Sequence, residues 1–129
     1  MIAEDNPSEQ KIYRKALLLE GYKLIEAKNG DGILSELKTT PVDLLITDLN
    51  MGPMSGLDAL SIIKQKYPAL PVIVVSGHYS GMVDNFNGKA IKVEAFIQKP
   101  FSMRILKEKI CEILKIDKSD RKDTQISTP

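Results

Sequence analysis

Polar and apolar positions follow two rhythms along this chain. Four short apolar runs stop abruptly on polar groups: Ile2-Ala3 on Glu4-Asp5, Leu44 to Thr47 on Asp48, Val72 to Val75 on Ser76, and Ala95 to Gln98 on Lys99. Residues 42–47 and 71–75 are almost wholly apolar, the composition of strands covered on both faces. Between the runs, spacing turns helical. Asn6-Pro7-Ser8-Glu9 reads as a helix start, with Asn6 as cap, Pro7 in the first turn and Glu9 reaching back in a capping box. Ile12, Ala16, Leu17 and Glu20 continue that helix, and Gly21 offers a left-handed stop. A strand is expected over 22–27, a turn at Asn29-Gly30, and a weak helix over 33–38 ending near Pro41. Leu57, Leu60, Ile62 and Ile63 form the stripe of a further helix closed by Pro68. Gly77, Gly81, Asn87 and Gly88 make any helix over 77–93 short or loose. Ser102 caps a last helix carrying Ile105, Leu106, Ile110, Ile113 and Leu114.

Strands and helices alternate five times, with connections too long for hairpins. That pattern predicts right-handed crossovers and an α/β fold: one three-layer domain over residues 1–116, its parallel sheet flanked by helices on both faces. Residues 117–129 are polar and charged, and are expected to be a disordered tail. Ligands of such sheets sit beyond the carboxyl ends of the strands, where strand order reverses. The polar run endings fall there.

Composition narrows the class further. With 43% apolar and 27% charged residues among 129, the chain has the make-up of a soluble globular domain. A net charge of +1 gives no electrostatic reason to expect a nucleic acid or membrane partner. No apolar run approaches the roughly 20 residues that a bilayer span needs. The single cysteine, Cys111, lies among Ile110, Ile113 and Leu114, which suits a buried thiol in a reducing, cytoplasmic setting.

Asp48 with Asp5, supported by Glu4, suits magnesium, which takes one or two carboxylates and keeps several waters. Three such acids repel one another unless a cation joins them. An aspartate can attack phosphorus and form an acyl phosphate. Phosphoryl transfer then requires charge neutralisation and positioning, for which Lys99 and the Ser76 hydroxyl are equipped. Each group alone has a plainer account. Glu4-Asp5 could be solvated turn acids, Ser76 a cap, Lys99 a surface lysine, His78 a loop residue and Phe96 a core aromatic. Their coincidence carries the reading.

The motifs MIAEDNP, LLITDLNMGPMSG, VIVVSGH and FIQKPF, in this order and spacing, resemble the receiver domain of two-component response regulators. The resemblance implies a flavodoxin-like, doubly wound five-stranded sheet of order 2-1-3-4-5. It implies that Asp48 accepts a phosphoryl group from a histidine kinase or histidine phosphotransfer protein. Magnesium would be held by Glu4, Asp5, Asp48 and the Asn50 backbone carbonyl. Ser76 would be the switch hydroxyl, Phe96 the aromatic that swings with it, and Lys99 the lysine preceding a cis bond to Pro100. Asn50 and His78 would tune dephosphorylation. The expected activity is magnesium-dependent self-phosphorylation and slow autodephosphorylation rather than enzymatic turnover, in a monomer or weak homodimer acting on an unidentified downstream target.

The chain departs from that pattern in three places. Gly52-Pro53 reverses the usual order, Lys92-Val93-Glu94 replaces the usual turn, and Met1 falls almost inside the first strand. The last feature raises two expectations: a chain cut from a longer one, or a short first strand with a weaker core. The alternatives for the whole are a receiver from the end of a hybrid sensor kinase, a phosphorylation-independent interaction domain, and an aspartyl-phosphate hydrolase. Asn50 stands where the hydrolase would need a second aspartate. A flavin carrier is disfavoured by acids where FMN phosphate would sit. Ser8, Lys11, Ile12 and Lys15 share one face of the first helix and form the expected kinase-docking surface.

Overall fold

Val72–Ser76 (β4) buries all five of its residues, as the unbroken apolar run requires. In the computed structural model, which describes residues 1–48, 56–77 and 93–115, this strand lies between Leu45–Asp48 (β3) and Ala95–Gln98 (β5). Ile2–Ala3 (β1) pairs with β3, and Glu26–Ala27 (β2) forms the far edge. All pairings are parallel and the order is β2-β1-β3-β4-β5. The predicted fold class and the strand order implied by the resemblance both hold.

Side chains alternate across a strand, so the continuous apolar runs feed two cores. Ala3, Leu45, Val72 and Val74 face one side. There they meet Ile33 of Gly30–Thr39 (α2) and Ala59, Leu60 and Ile63 of Gly56–Lys66 (α3). Ile2, Ile46, Ile73, Val75 and Ile97 face the other. They pack on Tyr13 and Leu17 of Pro7–Leu18 (α1) and on Leu106 and Ile110 of Met103–Leu114 (α4). Cys111 is buried beside Ile110, as expected. Three layers result.

The local signals succeed in part. The Asn6 side chain accepts from the backbone N–H groups of Ser8 and Glu9, with Pro7 in the first turn, so the expected start of α1 is observed. The capping box is not. The Asn6 N–H donates to Glu4 Oε2 at 3.3 Å, and the Glu9 carboxylate turns elsewhere. Gly21 has a φ of 89°, the left-handed stop that its sequence position predicted. Ile12, a member of the expected docking face, is 59% exposed, because Gln10, Tyr13 and Leu17 supply the inner face of α1. Ile105 of α4 is likewise 39% exposed.

The strand expected over 22–27 pairs only at Glu26–Ala27. Asn29 proves to be a helix cap rather than a turn residue: its side chain accepts from the Gly32 N–H at 2.8 Å, and α2 begins at Gly30. The helix expected at 33–38 is therefore longer at its start. Ser102 caps α4 as expected, accepting from the Ile105 N–H. The segment 78–92, the residues around Gly52-Pro53 and the tail 117–129 lie outside the described residues.

Candidate functional site

Strand alternation decides which polar endings meet. Glu4 continues the phase of Ile2, Asp48 that of Ile46, and Lys99 that of Ile97, all on the α1/α4 side. The ends of β1, β3 and β5, the last two separated by β4, therefore deliver two carboxylates and an ammonium to one place. The Lys99 Nζ lies 2.7 Å from Asp48 Oδ2 and 3.2 Å from Glu4 Oε1. The backbone N–H of Lys99 donates to the Ser76 carbonyl at 2.9 Å, and the Lys99–Pro100 bond is cis.

A third carboxylate closes the group. Glu9, in the first turn of α1, brings Oε1 to 3.0 Å from Lys99 Nζ. Glu4, Glu9 and Asp48 each present an oxygen within 4.8 Å of the others. Only Glu9 keeps a substantial exposed surface: 39% of its side chain, against 2% for Glu4 and 9% for Asp48.

The surrounding bonds explain why Glu4 tolerates burial. Its Oε2 accepts the Asn6 N–H, and its backbone carbonyl accepts from Gln10 Nε2 at 2.6 Å. Burial nevertheless pushes its pKa up to about 7, with Asp48 adding to the rise and Lys99 and the Asn6 N–H opposing it. Lys99 moves the other way from most buried lysines. Desolvation alone would lower its pKa, but hydrogen bonds to Asp48 and Glu9 and the nearby negative charge raise it above the ordinary lysine value. The ammonium is thus charged at any physiological pH. Thr47 donates its hydroxyl to the Asp48 carbonyl at 2.9 Å, which steadies the end of β3.

Glu4 and Asp48 set buried oxygen donors side by side, with Glu4 resisting ionisation in the absence of a cation. This fits a hard divalent ion such as magnesium.

Beside Lys99, a shallow groove runs between α1 and the start of α4, floored by Tyr13, Pro100 and Phe101 with Ile12 and Met103 at its margins. The rings of Tyr13 and Phe101 stack with centroids 6.4 Å apart.

Residues 1–111 match the response regulator receiver domain profile. The chain belongs to the response regulator receiver domain family. It is 32% identical to the nitrogen assimilation regulatory protein NtrX of Azorhizobium caulinodans over 136 residues, a match covering all of this chain and 29% of that protein. It is 34% identical to a putative NtrX-like response regulator of Rickettsia bellii, covering 93% of this chain and 26% of that protein. The chain thus spans between a quarter and a third of the length of these two relatives. Among solved structures it is similar to the response regulator TrrA of Thermotoga maritima in complex with Mg(2+)-BeF. There the TM-score is 0.74 at 25% identity, covering 87% of this chain and 95% of that one. Receiver-family membership supports a phosphoacceptor role. Among the described residues, no helix is long and apolar enough to cross a membrane.

Of the receiver residues singled out from sequence, Glu4, Asp48 and Lys99 come together. Ser76 is fully buried at the end of β4, and Phe96 is half-buried against the α2/α3-side core. Both belong to the opposite strand phase from Lys99. Asp5 follows Glu4 but is exposed and stands outside the three-acid cluster. Asn50 and His78 lie outside the described residues. Sequence reasoning missed Glu9 in the site, because it had assigned that carboxylate to the capping box. The available clue was Asn6, which satisfies the first-turn N–H groups by itself.

Proposed function

We propose that Asp48 is the phosphoacceptor of a receiver unit spanning residues 1–116, taking its phosphoryl group from a histidine kinase or histidine phosphotransfer protein. The observation that carries this reading is the 2.7 Å contact of Lys99 Nζ with Asp48 Oδ2 at the carboxyl end of the central strands. The carboxylate attacks phosphorus and the donor's nitrogen or oxygen leaves with the bonding pair. Lys99 holds positive charge beside the transferred oxygens, where phosphoryl transfer needs it.

Glu4, Asp5 and Asp48 would hold magnesium, with the Asn50 carbonyl as a further ligand. Bound there, the ion neutralises the acids and the phosphoryl oxygens. TrrA, a relative by structure, is recorded with Mg(2+)-BeF, which supports that choice of ion. Ser76 and Phe96 act as the switch pair, and Asn50 and His78 set the lifetime of the acyl phosphate. The donor docks over Ser8, Lys11, Ile12 and Lys15, all of them exposed on α1 beside the groove. The unit works in the cytoplasm as a monomer or weak homodimer. It undergoes magnesium-dependent self-phosphorylation and slow autodephosphorylation rather than enzymatic turnover. The NtrX and NtrX-like relatives are response regulators, which supports a response regulator over a hybrid kinase as the parent protein.

Incubation with acetyl phosphate and magnesium should add one phosphoryl group, seen by intact mass. Asp48→Asn should reduce uptake to background. A labelled Asp48→Asn protein would refute the assignment.

A further inference from the structure

An ammonium has three N–H bonds to give, and those of Lys99 face three carboxylates: Asp48 at 2.7 Å, Glu9 at 3.0 Å and Glu4 at 3.2 Å. If Asp48 accepts a phosphoryl group, Lys99 must turn toward the new oxygens and give up part of this arrangement. The three acids are not equally easy to leave. Glu4 is buried, so parting from the lysine would strand its charge away from solvent, and Asp48 is the reacting group itself. Glu9 is 39% exposed, so its carboxylate can return to solvent at small cost.

The local structure frees Glu9 for this role. Asn6 alone accepts the Ser8 and Glu9 N–H groups, so the helix start does not need the Glu9 side chain. The Asn6 N–H, the usual target of such a glutamate, is taken by Glu4. The Glu9 carboxylate is left to span from α1 to the lysine that follows β5.

Resting on the acceptor reading above, we propose that Glu9 is a latch on Lys99: a positioning residue that holds the ammonium in the resting state and must release it when Asp48 is phosphorylated. Its presence slows phosphoryl uptake. Its exposed carboxylate makes that brake a mild one.

Glu9→Asp tests the contact separately from the charge, since it keeps the carboxylate but is one methylene too short to reach Lys99. At saturating magnesium, uptake from acetyl phosphate should be about two- to fivefold faster in Glu9→Asp, the factor corresponding to an exposed ion pair. Glu9→Gln should be at least as fast. In chelator, the Lys99 side-chain 15Nζ resonance should shift in both variants, and calorimetric magnesium affinity should be unchanged in Glu9→Asp.

Faster uptake in Glu9→Gln alone would show that only charge acts and would overturn the latch. Slower uptake or weakened magnesium binding in Glu9→Asp would make Glu9 a metal ligand instead, with the same consequence. If the wild-type chain takes up no phosphoryl group, the acceptor reading fails. An unmoved Lys99 resonance in the variants would independently remove the contact on which the latch rests.

Discussion

At the scale of single residues, Glu4 shows what the site costs the fold. Its side chain is 2% exposed and burial lifts its pKa from 4.5 to about 7. Because the folded value lies above the unfolded one, the protonated acid favours folding below pH 4.5, and that contribution is lost as pH rises through about 7. Glu4→Gln, compared with wild type in chelator, should therefore be stabilising at pH 8 by on the order of 1–3 kcal/mol and nearly neutral at pH 5. Denaturant melts at the two pH values measure this directly. A variant destabilised at pH 8 would mean that the pair with Lys99 outweighs desolvation. Lys99 itself would still have Asp48 and Glu9 as partners.

At the scale of elements, α1 has two attachments to the site, and both depend on how it starts. Asn6 fixes the first turn, which presents Glu9 to Lys99. Gln10, one position further, is buried and ties the helix to β1 and β2 through the carbonyls of Glu4 and Ala27. Asn6→Ala should cost about 0.5–2 kcal/mol, the usual worth of a polar cap. Thermal unfolding checks the loss, and circular dichroism should show the remaining helices retained. The bidentate pair of Arg14 with Glu26, at 2.6 and 2.8 Å, also joins α1 to β2, but its exposure keeps it a minor contributor.

At the scale of the molecule, the same sheet that builds two cores also imposes a concentration of charge at one edge. A cation there relieves repulsion only in the folded chain, since Asp48 is remote in sequence from Glu4 and Glu9. Magnesium at about 100 times its dissociation constant should then stabilise the fold by about 2.7 kcal/mol. Melting with magnesium and with chelator tests it. Asp48→Ala should lose most of the shift, and an equal shift in that variant would place the ion elsewhere.

The amino-acid sequence by itself determined the α/β class, the positions of the apolar strands and the chemistry of Glu4, Asp48 and Lys99. Those properties are local: an apolar run, a cap or a strand-ending acid is legible within a few residues. Helical spacing gave α1 a periodicity without showing that Gln10, Tyr13 and Leu17 would be the stripe facing the sheet. Asn29 was likewise ambiguous, since the same side chain can close a turn or cap a helix. Only the tertiary structure decided that Glu9 would meet a lysine 90 residues away. A capping carboxylate has a near partner and a far one, and the choice depends on where the fold puts the far one.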